Sequence, residues 1–251
     1  MVMMFQNRFR LCELFDIPIY VDLTFAIILL LFLFDAPLAY GLSFAVILAI
    51  SIVAHELGHA LTARIFGYRT NDITLSLLGG CASLIALPRK AYQEFLTAIA
   101  GPLVSFALSF LFWLILNLCP IESEWLVVVL WYASIMNLTL ALFNCLPALP
   151  MDGGRVFRSA LRLKMSRVRA TYLAMIVGRA CAVALVVLPL LGIRHIGPIP
   201  IGGYFFIRLM IAWMIWQEGH REYLLAQQDD RFQRWTQADF NARVSPPPYD
   251  R

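Results

Sequence analysis

His55-Glu56-Leu57-Gly58-His59 combines the residue types and the spacing needed for metal-assisted hydrolysis. On a helix, positions i and i+4 share one face, so His55 and His59 can hold a single metal ion between them. Imidazole nitrogen suits zinc, which demands little beyond roughly tetrahedral ligation. Glu56 directly follows His55, three residues before His59, and is placed to act on water rather than to bind the ion. Two histidines can stack on a soluble helix by chance. Here they lie inside a long apolar stretch, where an ionisable side chain costs on the order of 3 kcal/mol and marks function by default.

A catalytic zinc needs a third protein ligand and one open position. Asp152 is the acid that stands out, in Asn144-Cys145-Leu146-Pro147-Ala148-Leu149-Pro150-Met151-Asp152-Gly153-Gly154. Pro147 and Pro150 stop a preceding helix from continuing. Gly153 and Gly154 let the backbone turn and approach another element closely. Asp152 could instead cap an amphipathic helix over Gly153–Arg169. The roles are compatible, because one carboxylate oxygen can ligate while the other caps.

These residues must be positioned by a membrane scaffold. The chain has 251 residues, of which 61 % are hydrophobic and only 14 % charged. Its mean hydropathy is +0.74. Soluble domains run nearer 45–50 % apolar and about 25 % charged. The balance excludes an ordinary cytosolic enzyme, a disordered chain and a nucleic-acid binder. Cys12, Cys81, Cys119, Cys145 and Cys181 form no CxxC pair, so they read as packing residues rather than a disulfide framework.

A helix needs about 20 apolar residues to cross the hydrocarbon core. Six segments come close: Ile17–Phe34, Leu38–Phe66, Phe95–Leu118, Trp125–Leu146, Thr171–Leu191 and Tyr204–Gln217. Basic residues mark the cytoplasmic side. With these spans, 17 basic residues gather on one face and Arg194 alone on the other, while Arg179 and Arg208 lie within spans. Both termini are therefore expected in the cytoplasm. Between the second and third spans, Ile73, Leu75 and Leu77 alternate with Thr74, Ser76 and Leu78. Gly79-Gly80 reads as the turn of a β-hairpin that returns over Ala82–Leu87. The expected fold is all-α and membrane-embedded, with about six transmembrane helices and a small membrane-associated β-hairpin or sheet. The expected division is a polytopic domain over 1–217 and a cytoplasmic tail over 218–251. In that tail, Gln233–Phe240 suggests a short helix, and the Pro246-Pro247-Pro248-Tyr249 run reads as a frayed end.

HELGH within a span, followed by NCLPALPMDGG at the end of a later one, resembles the site-2 protease family of intramembrane zinc metalloproteases. The likeness extends to Gly79-Gly80-Cys81-Ala82, to Ala100-Gly101-Pro102-Leu103, and to Asn137-Leu138 ahead of Asn144. It implies one zinc per chain, held by His55, His59 and Asp152, with Glu56 as general base. It implies that Asn144 helps to hold the substrate backbone. It also implies that the region around Gly79–Leu87 and the strand before it form a membrane-dipping sheet that pairs with an unwound substrate, the pairing strand here being taken as Ile73, Thr74, Leu75, Ser76 and Leu77. Three positions depart from the family pattern. Met151 stands for leucine, Ser105 for a frequent asparagine, and Asp22 for a frequent histidine. The chain resembles the compact branch, without PDZ or CBS domains.

The resemblance implies a transmembrane or membrane-tethered protein as substrate, cut near the cytoplasmic face of a prokaryotic cell membrane. The lipid bilayer is the other partner, and a homo-oligomer is compatible with the sequence. A metal-binding transporter leaves Glu56 without a role and calls for repeated halves that the sequence lacks. An inactive membrane scaffold has no need of an intact HELGH and Asp152. Other membrane HExxH proteases take a later glutamate as ligand, and only Glu218 and Glu222 are available here.

Overall fold

The computed structural model describes residues 8–27, 30, 37–76, 79–84, 90–192, 195–196, 199–200 and 205–244. It divides into two compact units. The first comprises residues 1–146 with 151–156, and the second 147–150 with 157–251.

The first unit opens with strands β1 (Arg8–Leu14) and β2 (Ile17–Asp22), followed by helix α1 (Leu38–Ile65). Strands β3 (Thr70–Ser76) and β4 (Gly79–Leu84) come next, then helices α2 (Ala91–Leu118) and α3 (Glu124–Asn144). The sheet has the order β1-β2-β3-β4. β2 and β3 run parallel, which requires a crossover, and α1 lies within it. β-branched residues set the buried face of β2. Ile17 and Ile19 join Ile73 of β3 and Ala60 of α1 in one apolar cluster, flanked by Val53 and Leu57. Phe25, Ile52 and Leu75 form a second cluster. The sheet therefore packs on the part of α1 that carries His55-Glu56-Leu57-Gly58-His59. Gly67, with φ of +82°, ends that helix, and the N–H of Tyr68 bonds the carbonyl of Ala63.

Small and polar residues bring the helices together. A Cβ at Gly58 would lie 2.9 Å from the Ala100 carbonyl oxygen, so α1 and α2 meet backbone to backbone. Asn137 of α3 donates to Ser51 of α1 at 2.9 Å, and Ser134 of α3 donates to the Ser109 carbonyl of α2 at 2.9 Å. Such bonds are favoured in an apolar medium, where unpaired polar groups are costly.

The second unit is built on helix α5 (Arg167–Leu190) packed against helix α6 (Phe205–Val244). The short strands β5 (His195–Ile196) and β6 (Ile199–Pro200) pair between them. Helix α4 (Asp152–Leu161) begins in the first unit and ends in the second. Buried Arg158 of α4 donates to Glu222 at 2.7 Å, and Arg167 pairs with Asp229 at 3.0 Å. Arg179 of α5 lies 4.5 Å from the Trp216 ring centroid, and Arg208 of α6 lies 5.8 Å from that of Phe205. An aromatic face is thus within cation–π range of each guanidinium group.

Four described helices are long and apolar enough to cross a membrane: α1, α2, α3 and α5. They expose large apolar side chains such as Ile50, Leu103, Phe110, Trp131 and Val183. Such a surface suits hydrocarbon and not water. The expected first span does not begin at Ile17. Ile17–Asp22 is strand β2, because Ile17, Ile19 and Val21 alternate and Pro18 opposes a helix. Asp22 then caps residues 23–27, which are helical, accepting from the Thr24 N–H at 2.8 Å. The rest of that span, to Phe34, lies largely outside the described residues. The last expected span is the start of the 40-residue α6, which continues through 217 and 218 without a break. Pairs such as Arg234–Asp230 at 2.9 Å support its polar half, where only a short helix was expected. Pro246–Tyr249 lies outside the described residues.

Candidate metal centre

His55, Glu56 and His59 are all buried on α1, and Asp152 is buried at the start of α4. His55 Nε2 and His59 Nε2 each lie 3.1 Å from Asp152 Oδ2, and 3.3 Å from one another. Three donor atoms thus form a small triangle. Tetrahedral zinc with bonds of about 2.0–2.1 Å sets its ligands about 3.3 Å apart, so the residues present fit the ion. The far sides of the rings point the same way. His59 Nδ1 donates to the Thr97 carbonyl at 2.7 Å, which leaves its Nε2 as a lone pair in the neutral ring. His55 Nδ1 lies 2.9 Å from Ser105 Oγ. Acceptors converging in this way require positive charge among them, either a bound cation or a proton on an imidazole.

Burial alone would raise the Asp152 carboxyl. The His59 ring, the contact with His55 and the Arg155 guanidinium outweigh it and hold the group well below the usual carboxylate range. Arg155 Nη1 lies 3.7 Å from the second carboxylate oxygen. Asp152 is thus an anion with one oxygen toward the histidines and the other toward Arg155. Cys145 is largely exposed, and the partial desolvation of its sulfur together with the Asp152 charge pushes its thiol up. A protonated thiol is a poor ligand. Among the described residues, only His55, His59 and Asp152 form a group of three that could hold a metal ion.

Two glycines shape this space. A Cβ at Gly101 would lie 2.7 Å from His55 Nε2 and closer still to His59 Nε2. A Cβ at Gly80 would lie 2.8 Å from Glu56 Oε1. Gly79-Gly80 was expected as a hairpin turn. Instead Ser76 pairs with Gly79 and Leu75 with Gly80, so both glycines belong to β4, where the missing side chain of Gly80 admits Glu56.

The strand expected to pair with substrate is not an edge. Ile73, Thr74 and Leu75 pair with Ile19, Tyr20 and Val21 on one side and with Ala82, Cys81 and Gly80 on the other. Their side chains are buried as well. Ser76 pairs with β4, and Leu77 lies outside the described residues. The outer strands are β1 and β4, and β4 is the one beside Glu56. Asn144, at the end of α3, donates to its own helix at the Leu140 carbonyl, 3.0 Å away. It takes no part in the triangle. Sequence reasoning missed Thr97 behind His59 and Arg155 behind Asp152, and it named Gly101 and Ser105 only through the family likeness, without placing them beside the histidines. Thr97, Gly101 and Ser105 repeat the four-residue spacing of His55 and His59, and that was the available signal.

Comparisons with known proteins point to zinc metalloproteases. The profile of Peptidase family M50 matches residues 43–121 and 120–185, more than half of the chain. A Synechocystis sp. protein provisionally named a zinc metalloprotease is 35 % identical over 193 residues, covering 75 % of this chain and 49 % of that protein. A zinc metalloprotease of Methanocaldococcus jannaschii is 32 % identical over 190 residues, 74 % of this chain and 55 % of its own length. The chain thus spans about half the length of these relatives. The solved structure of a site-2 protease from M. jannaschii superposes with a TM-score of 0.62 at 26 % identity, covering 86 % of this chain and 95 % of that one. The chain belongs to peptidase family M50, the metalloprotease family that includes the site-2 proteases.

Proposed function

We propose that this chain is an intramembrane zinc endopeptidase that hydrolyses peptide bonds of transmembrane or membrane-tethered proteins near the cytoplasmic face. The observation that carries this reading is the buried triangle of His55, His59 and Asp152 beside Glu56 on a membrane helix. His55 Nε2, His59 Nε2 and Asp152 Oδ2 are the ligands. Zinc bound there supplies a Lewis acid that makes water nucleophilic near neutral pH and polarises a carbonyl. The Glu56 carboxylate takes a proton from water and returns it to the leaving amine. The missing side chain of Gly80 leaves room for that carboxylate against β4.

A helical substrate hides its peptide bonds, because its backbone groups are bonded internally. It must unwind, and a free strand edge replaces the bonds lost. The edge next to Glu56 is that of β4, so substrate pairing is assigned to Gly79–Leu84 in place of β3. Asn144 remains the candidate for a substrate carbonyl, which requires that its amide leave the Leu140 carbonyl. The basic bias of the sequence supports a cytoplasmic position for both termini and for the site's water route.

The test separates binding from chemistry. Glu56→Gln should keep about one zinc per chain and lose cleavage by at least about 100-fold. His59→Ala should lose both. Metal loss in the Glu56 variant would make Glu56 a ligand and overturn the assignment.

A further inference from the structure

Two helices face each other across the metal centre with matched spacing. On α1, His55 and His59 are four residues apart. On α2, Thr97, Gly101 and Ser105 are also four apart and share one face. The Thr97 carbonyl accepts a hydrogen bond from Nδ1–H of His59, with an N···O distance of 2.7 Å. Ser105 Oγ lies 2.9 Å from Nδ1 of His55. Gly101, between them, leaves room beside both Nε2 atoms.

A carbonyl oxygen can only accept, so Thr97 fixes the tautomer of His59 through the backbone alone. Ser105 is fully buried, at 0 % exposure, and acts on His55 through its side chain. A helical serine can place its own proton on the carbonyl four residues back, which frees its oxygen to accept. We propose that Ser105 is a positioning residue of the metal centre. Its hydroxyl oxygen accepts the Nδ1–H of His55 and so holds Nε2 beside His59 and Asp152. This inference rests on the reading that His55, His59 and Asp152 hold zinc. Partners behind a ligating histidine orient the ring and raise its basicity, and losing one costs about 10- to 100-fold in metal affinity.

The test uses the full-length chain in detergent and reads metal binding, not turnover. Zinc affinity is measured by competition with a chromophoric chelator, and cobalt(II) is added as a spectroscopic probe. Ser105→Ala should bind zinc about 10- to 100-fold more weakly. Its cobalt band should shift while the melting temperature without metal stays unchanged. Ser105→Thr keeps the hydroxyl and should restore both signals. Wild-type affinity and spectrum in Ser105→Ala would overturn the proposal. So would a Ser105→Thr variant as weak as Ser105→Ala, since the loss would then come from packing. His59→Ala run alongside separates the two levels: wild-type zinc affinity in that variant would overturn the centre itself.

Discussion

Gly101→Ala tests whether the space beside the histidines is reserved for the metal. The new Cβ would lie 2.7 Å from His55 Nε2 and 2.5 Å from His59 Cε1. Non-bonded carbon contacts settle near 3.5 Å, so the His55 ring must retreat by about 0.8 Å. Metal–ligand distances hold within about 0.2 Å, so the displacement is roughly four times what the site tolerates. Neither side can yield easily. The α2 backbone is pressed against Gly58, 2.9 Å from a Cβ built there, and His59 is tied at Nδ1 to Thr97. Zinc content should therefore fall from about one per chain to nearly none. The folding cost should be modest, because overpacking costs about 1–3 kcal/mol and alanine returns about 0.5–1 kcal/mol in a helix. Metal analysis and thermal melting on the same preparation read both effects. Gly219→Ala is the control, since its Cβ would meet Met175 at an ordinary 3.6 Å. A Gly101→Ala protein with one zinc per chain and wild-type cleavage would refute the reasoning.

Three further outcomes are expected. Asp152→Ala should lose zinc and activity while Cys145→Ser keeps its metal, as elemental analysis of both variants will show; the reverse pattern would point to a ligand set with two histidines and a cysteine. Proline placed in turn at Cys81, Ala82 and Ser83 should alternate between loss of folding, where the N–H faces β3, and loss of cleavage alone, where it faces outward. Normal cleavage by all three proline variants would remove β4 from substrate binding. Reporter fusions should read non-cytoplasmic after Glu122 and cytoplasmic after Lys164, and a cytoplasmic signal at Glu122 would invert the orientation.

The metal triangle was legible because its chemistry is local. The spacing of His55 and His59 encodes a shared helix face, and two prolines with two glycines announce the break that delivers Asp152. The apolar runs of α1, α2, α3 and α5 were legible for the same reason. The sheet was not. Ile17, Ile19 and Val21 lead straight into an apolar helix, and periodicity does not separate a buried strand from the start of a span. Parallel pairing of β2 with β3 is a contact across the α1 crossover that no local pattern announces, so β3 was mistaken for an edge. Gly80 carries a turn signal in sequence, but its cause is the Glu56 side chain above it. Ser105 looked like a minor departure from a family pattern until His55 was seen against it.

The most direct measurement of the central claim is mass spectrometry of a single-span substrate incubated with the purified chain in liposomes. The account predicts a cut inside the membrane segment toward its cytoplasmic end. That cut should be abolished by a zinc chelator, restored by added zinc, and absent with Glu56→Gln. A zinc-loaded wild-type chain that cuts only outside the membrane segment, or a Glu56→Gln chain that cuts as well as wild type, would contradict it.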